Sequence, residues 1–457
     1  MLEFSRNLPL WGRIGLVLLS AMLAVSVFAP FSWSTLALVA WVPMMMALTG
    51  ASIKAATRLG LLHGVCLFGC TMGWLANVFQ SMSWSVYPLV LVLAMFSAIF
   101  GLGYGLAQTR WKGGWKLASF GALWWGAVEF IRSELFVLKF SWMSPGLGFD
   151  PHFLTSVVGV YGMSVLIVLL GLLLVCLRKP WLGGMGLLVL LLTSFIPRSA
   201  PEGSSLRVLA LQAEFATMLR YQELVDSCEE DIDVILFPEY ALEVDPEQSD
   251  KMRLRLTELA AERSAIVIIG ARTDLENGEH YNSAVVLNEN GIIGKHHKNH
   301  PVHFFNDGKK GELAEPVVTS LGALASPICF DNDYEGVVRR MTQAGAEVFL
   351  VPSLDASHWG ERQHYMHSEL FRHRAAESRR WFVVASGSGM TQLIDPFGNR
   401  VRSLPIMEEG ILYATVPKLS GDTFYTRIGW TFPWVWISTS ALAIAYCLIK
   451  LLKAKTQ

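Results

Sequence analysis

The sequence has few charged residues. Lysine, arginine, aspartate and glutamate make up 16% of its 457 residues, while apolar residues make up 52%. Soluble domains usually contain about 25% charged residues. The deficit is uneven, because the long apolar runs lie in residues 1–200 and 424–452, whereas residues 205–418 have the mixed polarity of a globular domain. The low charge therefore excludes a wholly soluble protein and predicts a membrane protein that carries one globular domain.

Cysteine is also scarce, at six residues. Four cysteines lie within or at the ends of the apolar runs: Cys66, Cys70, Cys176 and Cys447. A Cys228–Cys329 disulfide is conceivable in an oxidising compartment, but Cys228 stands in the polar stretch 226–230, which is typical of a surface helix. The pattern favours a reactive thiol over a disulfide framework.

Three reactive side chains in the globular part, Glu239, Lys298 and Cys329, each follow an apolar segment with the pattern of a buried strand. Singly, each has a structural interpretation, such as an inert buried thiol or a residue near a helix N-terminus. Together they suit acyl transfer through a thioester. A carboxylate can take the proton of a thiol, and a cation can stabilise the oxyanion that follows. We therefore predict Glu239 as general base, Cys329 as nucleophile and Lys298 as electrostatic stabiliser.

The order Phe-Pro-Glu, then Lys, then Ile-Cys resembles the nitrilase, or carbon-nitrogen hydrolase, superfamily. Further segments agree with it: Gly345-Ala346, Pro352-Ser353, residues 374–380, Ser388-Gly389-Met390-Thr391 and Ile394-Asp395-Pro396-Phe397-Gly398. The resemblance covers residues 205–418 and implies an α-β-β-α nitrilase-like sandwich, with the three catalytic residues at strand ends.

The apolar runs predict a polytopic α-helical membrane protein of about eight spans, each close to the ~20 residues that cross a bilayer. The candidate spans are residues 10–29, 34–50, 58–79, 84–109, 115–132, 155–177, 181–197 and 428–450. Further spans follow the first one, so no cleavable signal peptide is expected. The predicted domains are an N-terminal membrane domain of about seven spans (1–200), the catalytic domain (205–418), and a C-terminal membrane helix with a cytoplasmic tail (424–457).

Loop charges predict the orientation. Lysine and arginine stand before span 1, between spans 2 and 3, 4 and 5, and 6 and 7, and at the C-terminus; the links between spans 1 and 2 and between 3 and 4 have none. Because positively charged loops remain in the cytoplasm, both termini are expected there. Eight spans then leave residues 205–418 on the outer side, which is the periplasm or the exterior of a monoderm cell.

The chain as a whole resembles the apolipoprotein N-acyltransferase family. The motifs in the membrane part are Phe28-Ala29-Pro30-Phe31-Ser32-Trp33, Gly64, Gly69, Trp74, Glu129 to Arg132, Gly159-Val160-Tyr161-Gly162 and Thr426-Arg427-Ile428-Gly429. The resemblance implies a multi-pass protein of the bacterial inner membrane. It would move an acyl chain from a phospholipid, through the cysteine, to the α-amine of a diacylated apolipoprotein. We expect a monomer with no cofactor and no nucleic-acid partner.

The substrate-binding prediction comprises four residues: Trp142, Phe304, Phe330 and Asp331. Phe330-Asp331 stands where the family has Tyr-Glu, and residues 301–307 replace its Leu-Val-Pro-Phe-Gly-Glu. The family's second glutamate is thus absent, and Asn306 or Asp307 would have to take its place.

Other interpretations of these patterns remain open. A membrane-anchored amidase would resolve the thioester with water, and an idle paralogue would only bind lipid or lipoprotein. Glu129 and Arg132 could form a structural ion pair or contact a lipid headgroup. The histidines at 296–303, with His364 and His367, invite a metal site, but no cysteine or carboxylate has the spacing of zinc ligands. We therefore predict no metal.

Overall fold

The computed structural model describes residues 1–199 and 203–455. Residue 200 of the predicted membrane domain and residues 456–457 of the predicted tail lie outside the described residues. The chain forms two compact units. The first comprises Met1–Asp150, Val158–Pro197 and Ile428–Gln457, and the second comprises Pro151–Val157 and Arg198–Arg427.

The first unit is built from α-helices. They are α1 (Leu2–Arg6), α2 (Leu10–Val27), α3 (Val42–Leu48), α4 (Ile53–Thr71), α5 (Leu75–Phe79), α6 (Val86–Arg110), α7 (Gly114–Phe130), α8 (Pro145–Gly148), α9 (Thr155–Cys176, which begins in the second unit), α10 (Trp181–Ser194) and, after the second unit, α16 (Phe432–Lys455). Most of these helices carry apolar side chains on all faces, as expected for helices whose outer surface meets lipid.

Five helical stretches among the described residues are long and apolar enough to cross a membrane: Leu10–Val27, Ile53–Thr71, Leu75–Arg110, Thr155–Cys176 and Gly429–Ala454. The apolar helices Ser34–Leu48 and Trp181–Ser194 are shorter. The predicted fifth span corresponds to α7, which has 17 residues and continues into a π-helical turn at Ile131–Leu135. The membrane character is therefore confirmed, whereas the count of about eight spans is not.

The second unit contains twelve strands in its described residues. They are β1 (Ser205–Gln212), β2 (Val234–Leu236), β3 (Ile266–Asp274), β4 (His280–Asn288), β5 (Gly291–His297), β6 (Val317–Thr319), β7 (Gly322–Ala325), β8 (Val348–Ser353), β9 (Phe382–Ser386), β10 (Gln392–Ile394), β11 (Arg400–Ser403) and β12 (Gly410–Pro417). They form two six-stranded sheets, in the orders β12-β1-β2-β3-β4-β5 and β11-β10-β9-β8-β7-β6. The central strands of each sheet are parallel, and antiparallel strands flank them.

Helices cover the outer face of each sheet. These helices are α11 (Met218–Asp226), α12 (Asp250–Arg263), α13 (Glu335–Gln343), α14 (Glu361–Ser378) and α15 (Phe424–Arg427). Successive side chains of β1 point to opposite faces of the sheet, so this strand contributes to two cores. Val208 and Ala210 face the core between the sheets, whereas Leu209 and Leu211 face the core beneath α11 and α12. Because both faces of the central strands are buried, those strands are almost continuously apolar. The predicted α-β-β-α sandwich is confirmed.

Candidate active site

The three predicted catalytic side chains lie at strand ends of the sandwich. Glu239 follows β2 and Lys298 follows β5, both in the first sheet, while Cys329 follows β7 in the second sheet. All three are buried, with relative exposures of 4%, 1% and 5%. The two sheets therefore each contribute to one enclosed group of reactive side chains.

Glu239 and Lys298 form a buried ion pair. The Lys298 Nζ donates to Glu239 Oε1 at 2.7 Å and to Asp307 Oδ2 at 2.8 Å. Asn282 Nδ2 donates to the same two carboxylates, at 2.6 Å to Glu239 and 2.9 Å to Asp307, and the Tyr240 hydroxyl also donates to Asp307, at 2.9 Å. These contacts fix the carboxylate and the ammonium group together.

Burial and the neighbouring charges shift the pKa values of Glu239 and Lys298. Burial raises the pKa of Glu239, and the charge of Asp307 adds to this effect although Lys298 opposes it. Burial alone would lower the pKa of Lys298, but the two carboxylates hold it well above its ordinary value. A carboxylate with a raised pKa is a better proton acceptor than an ordinary glutamate. Lys298 stays positively charged beside it.

Cys329 begins a short 3₁₀ turn and has a φ of +43°, in the left-handed region that non-glycine residues seldom adopt. The Cys329 Sγ contacts the carbonyl oxygen of Leu354 at 3.7 Å, and Asn332 Nδ2 donates to the Cys329 carbonyl oxygen at 3.0 Å. Burial raises the pKa of this thiol well above its ordinary value, and the charge of Glu239 raises it further while Lys298 lowers it. The resting thiol is therefore protonated and needs a base.

Asp331 connects the cysteine turn with the segment after Lys298. Its Oδ2 lies 2.9 Å from His296 Nε2 and accepts from the Ile328 backbone N–H at 3.1 Å, while its Oδ1 accepts from the backbone N–H groups of Asn299 and His300 at 2.9 and 2.8 Å. Burial would raise its pKa, but these donors hold it below the ordinary value. The carboxylate is fully buried among protein donors, so its visible contacts are with the protein scaffold.

A second buried charge cluster supports the other side of Cys329. His367 Nδ1 lies 2.8 Å from Asp355, which follows Leu354, and its Nε2 lies 3.3 Å from Asp333 at the end of the cysteine turn. Burial would lower the pKa of His367, yet the two aspartates raise it to about 10. A charged histidine thus ties together the two segments that border the thiol. The sequence spacing of His364 and His367 had suggested only a metal site.

Two residues, Asn306 and Asp307, were candidates to replace the family's second glutamate, and the structure brings Asp307 to Lys298. Asp307 is the residue that contacts Lys298, whereas Asn306 is exposed. The neighbouring lysine, Lys295, binds elsewhere, with its Nζ 2.7 Å from Asp245. The shorter aspartate reaches the ammonium group because the loop brings its backbone close. The local sequence pattern alone could not determine this.

The predicted apolar substrate residues of the second unit lie on exposed or half-buried positions. Phe304 and Phe305 are 45% and 41% exposed, and Phe305 stacks on Trp359 with ring centroids 5.5 Å apart. Phe330 is half-buried and meets Tyr334 edge-on at 5.2 Å.

Trp142 belongs to the first unit, where it is buried and stacks on Trp74 at 5.3 Å. Arg132 Nη2 donates to the Trp142 carbonyl oxygen at 2.9 Å, and Glu129 accepts from the Ser164 hydroxyl at 2.8 Å. Glu129 and Arg132 thus both contact neighbouring neutral groups.

The histidines that suggested a metal site contact protein groups. His297 Nδ1 lies 2.8 Å from the Ser283 hydroxyl, and His364 Nδ1 lies 2.7 Å from the carbonyl oxygen of Gly360. In residues 1–199 and 203–455, no three His, Cys, Asp or Glu side chains are grouped so that they could hold a metal ion.

Gly270 of β3 is a positioning residue that the sequence pattern did not reveal. A Cβ at this position would lie 2.5 Å from the Glu239 Cα, 2.5 Å from the Pro238 carbonyl oxygen and 2.7 Å from the Tyr240 backbone nitrogen. Only a residue without a side chain lets the Glu239 segment approach the strand so closely. In the sequence it is one glycine inside an apolar strand, a pattern that signals close backbone approach but not its partner.

Gly270→Ala is expected to displace Glu239 and slow acylation of Cys329 by roughly 10²-fold, because catalytic groups lose about this much when misplaced by 1 Å. The matched control is Gly410→Ala in β12, where a Cβ would make only an ordinary contact at 3.4 Å with Leu404. Single-turnover acylation would measure the rate, and thermal melting would verify folding. Equal rates in Gly270→Ala and the parent protein would contradict this role.

Comparison with known proteins agrees with both units. The family model for carbon-nitrogen hydrolases matches residues 205–423, and the model for the apolipoprotein N-acyltransferase N-terminal domain matches residues 20–173. Apolipoprotein N-acyltransferase from Geobacter metallireducens is 26% identical and aligns over 94% of each chain; that of Pseudomonas aeruginosa is 26% identical, over 92% of this chain and 93% of its own. A carbon-nitrogen hydrolase structure from Helicobacter pylori G27 covers 51% of this chain and 93% of its own, at 19% identity and a TM-score of 0.42.

These matches define a bacterial membrane protein with a carbon-nitrogen hydrolase domain. The chain belongs to the apolipoprotein N-acyltransferase family, whose members are acyltransferases within the carbon-nitrogen hydrolase superfamily. The resemblance predicted from the sequence is confirmed.

Proposed function

We propose that this protein transfers a fatty acyl chain from a phospholipid to the N-terminal α-amine of diacylglyceryl-cysteine lipoproteins, through a thioester on Cys329. The observation that carries the proposal is the buried pair of Glu239 and Lys298, whose charges both act on the protonated thiol. Family membership supports the acceptor class, since the relatives are named for it.

In the first half-reaction, Glu239 accepts the thiol proton and the Cys329 sulfur attacks the carbonyl carbon of the phospholipid ester. The Lys298 ammonium group stabilises the negative charge on the carbonyl oxygen. The ester C–O bond breaks, and the lysophospholipid oxygen leaves with the proton from Glu239. In the second half-reaction, the lipoprotein amine attacks the thioester carbonyl, Glu239 takes a proton from it, and the thiol is regenerated as the C–S bond breaks.

An acyltransferase must protect its thioester from water while one substrate leaves and the next one arrives. The low exposure of Cys329 fits this requirement. For the acyl chain we propose contacts with Trp142, Phe304 and Phe330, and for Asp331 a role in holding the cysteine turn beside the substrate. We expect the protein to work as a monomer and without a cofactor.

The decisive experiment follows the thioester by intact-protein mass spectrometry. With phospholipid alone, the acyl adduct on Cys329 is expected to accumulate, because no acceptor amine is present. A diacylated lipopeptide with a free α-amine should then discharge it, and an N-acetylated lipopeptide should leave it in place. Steady release of free fatty acid without an acceptor would favour a hydrolase. Absence of both adduct and product in a folded preparation would indicate a protein that only binds lipid or lipoprotein.

We further propose that the chain spans the inner membrane about eight times. It would have an N-terminal membrane domain in residues 1–200, the catalytic domain (205–418) in the periplasm, and a C-terminal helix from residue 424. The loop charges support cytoplasmic termini. Alkaline phosphatase fused after Ser204 is expected to be active, and after Gln457 inactive. A cytoplasmic reporter at the same positions should give the reverse result. Activity of one reporter at both positions would contradict an odd number of spans before the catalytic domain.

A further inference from the structure

Two arginines of the second unit share one aromatic ring. The guanidinium carbon of Arg379 lies 4.5 Å from the centre of the Phe397 ring, and that of Arg198 lies 5.7 Å from it. Arg198 also lies 5.7 Å from the Phe153 ring. The rings hold the two like charges close together through cation–π contacts. The four residues Arg198, Arg379, Phe397 and Phe153 are called the arginine cluster below.

Two residues of the arginine cluster, Phe153 and Arg198, stand in the sequence close to the points where the chain passes between the second unit and an apolar helix. Arg379 Nη2 donates to the Phe153 carbonyl oxygen at 3.2 Å and to the Ser156 hydroxyl at 3.0 Å. Ser156 lies in the short part of α9 before Gly159, whose φ of +68° interrupts the helix, and the long apolar part of α9 follows. Arg198 stands four residues after the apolar helix α10 ends at Ser194. Residues at the ends of membrane-spanning helices meet the lipid headgroups, so both arginines are expected near them.

The positive charge of the arginine cluster has no ion-pair partner in the described part of the chain. Neither guanidinium group forms a salt bridge there, and each contacts only rings, backbone carbonyl oxygens or a hydroxyl group. The nearby Asp395 uses its carboxylate within its own turn, where it accepts from the backbone N–H groups of Phe397 and Asn399 at 2.8 and 2.9 Å. Burial and the charge of Arg198 lower the pKa of Arg379 to about 10, although the charge of Asp395 opposes them.

We propose that Arg198 and Arg379 bind the phosphate group of an anionic phospholipid, at a site separate from Cys329. A phosphate diester supplies the missing negative charge, and planar guanidinium groups bind its oxygens in a bidentate manner. The Phe153 ring, 41% exposed, offers an apolar surface beside the cations. A ligand with an anionic phosphate and an adjoining apolar part matches both features, whereas a soluble anion matches only the first.

This lipid site is independent of the proposed acyl transfer, because none of its contacts includes Glu239, Lys298 or Cys329. A bound headgroup would tie the Phe153 segment to the end of α14 and to the turn of Phe397, all within the second unit. Its loss is therefore expected to lower lipid affinity while the rate of thioester formation in detergent stays unchanged.

Native mass spectrometry of the full chain in detergent can test the lipid site, with dioctanoyl phosphatidylglycerol, dioctanoyl phosphatidylcholine and inorganic phosphate as separate probes. We expect one phosphatidylglycerol, in addition to any acyl donor at Cys329, to bind with preference over phosphatidylcholine, and inorganic phosphate not to compete at equal concentration. Arg198→Gln should weaken phosphatidylglycerol binding about 5-fold, and Arg198→Gln with Arg379→Gln about 30-fold, which are the losses typical of one and two basic residues at a membrane surface. The matched control is Arg253→Gln, on α12, which removes a surface arginine paired with Asp250.

Three outcomes would overturn the lipid site. These are unchanged phosphatidylglycerol affinity in the double variant, an equal loss in Arg253→Gln, or full competition by inorganic phosphate, which would indicate a general anion site. If the double variant does not fold, Arg198→Gln alone decides, because Arg198 contacts two rings and its loss leaves the hydrogen bonds of Arg379 in place. Unchanged affinity in that folded variant would equally reject the site.

Discussion

Replacing Cys329 by alanine is expected to abolish the acyl adduct completely, because the sulfur that forms the thioester is gone. Incubation with phospholipid should then leave the intact mass of the protein unchanged, while the parent protein gains the mass of one acyl group. The substitution removes a single buried atom beyond Cβ, so folding should be retained. Serine at this position is expected to give the same result, since a hydroxyl is far harder to deprotonate than a thiol.

The matched control for Cys329→Ala is Cys228→Ala. Cys228 is the other cysteine of the catalytic domain, it is equally buried at 5% exposure, and it packs in the core beneath α11 and α12. We expect Cys228→Ala to acquire the adduct at the parent rate. An adduct that persists in Cys329→Ala and disappears in Cys228→Ala would show that the wrong thiol has been assigned.

Lys298→Met is expected to slow acylation by roughly 10²–10³-fold, the typical cost of removing one group that stabilises an oxyanion. Lys295→Met provides the control, because Lys295 is only a few residues away in the chain but binds Asp245 and Glu247. Single-turnover rates with a phospholipid substrate would distinguish the two variants. If Lys295→Met proved the more damaging of the pair, the electrostatic role would have to be reassigned.

The residual activity of Lys298→Met should also change its pH dependence. The Lys298 charge lowers the pKa of Glu239 against the opposing effect of burial, so its removal lets that pKa rise. Glu239 acts as a base only when ionised, and activity is lost as the pH falls through its pKa. The acid limb of the rate profile is therefore expected to move to higher pH in Lys298→Met and to stay in place in Lys295→Met.

The sandwich was implied by the resemblance of residues 205–418 to the carbon-nitrogen hydrolases. Apolar runs such as 234–236 and 348–351 agree with it, because strands buried on both faces lack the alternation of a surface strand. The strand-end positions of Glu239, Lys298 and Cys329 followed from those runs, and the structure brings Glu239 and Lys298 into direct contact. Their catalytic roles stay predictions.

Contacts between residues that are far apart in the sequence could not be predicted in the same way. The proximity of Gly270 to Glu239 arises from the pairing of β2 with β3, and no local pattern encodes it. Asp331 was predicted to bind substrate, yet its carboxylate is surrounded by donors from two segments about 30 residues apart.

The protonated state of the Cys329 thiol has a consequence for its reactivity when no substrate is bound. Oxidants and alkylating reagents react with the thiolate form of cysteine. Because the pKa of the Cys329 thiol is well above its ordinary value, almost none of it is present as thiolate. The sulfur becomes reactive only while Glu239 removes its proton in the presence of a substrate. The thiol of an empty site is therefore expected to resist oxidation, and a reactive fatty-acyl analogue should label Cys329 far faster than iodoacetamide of equal concentration.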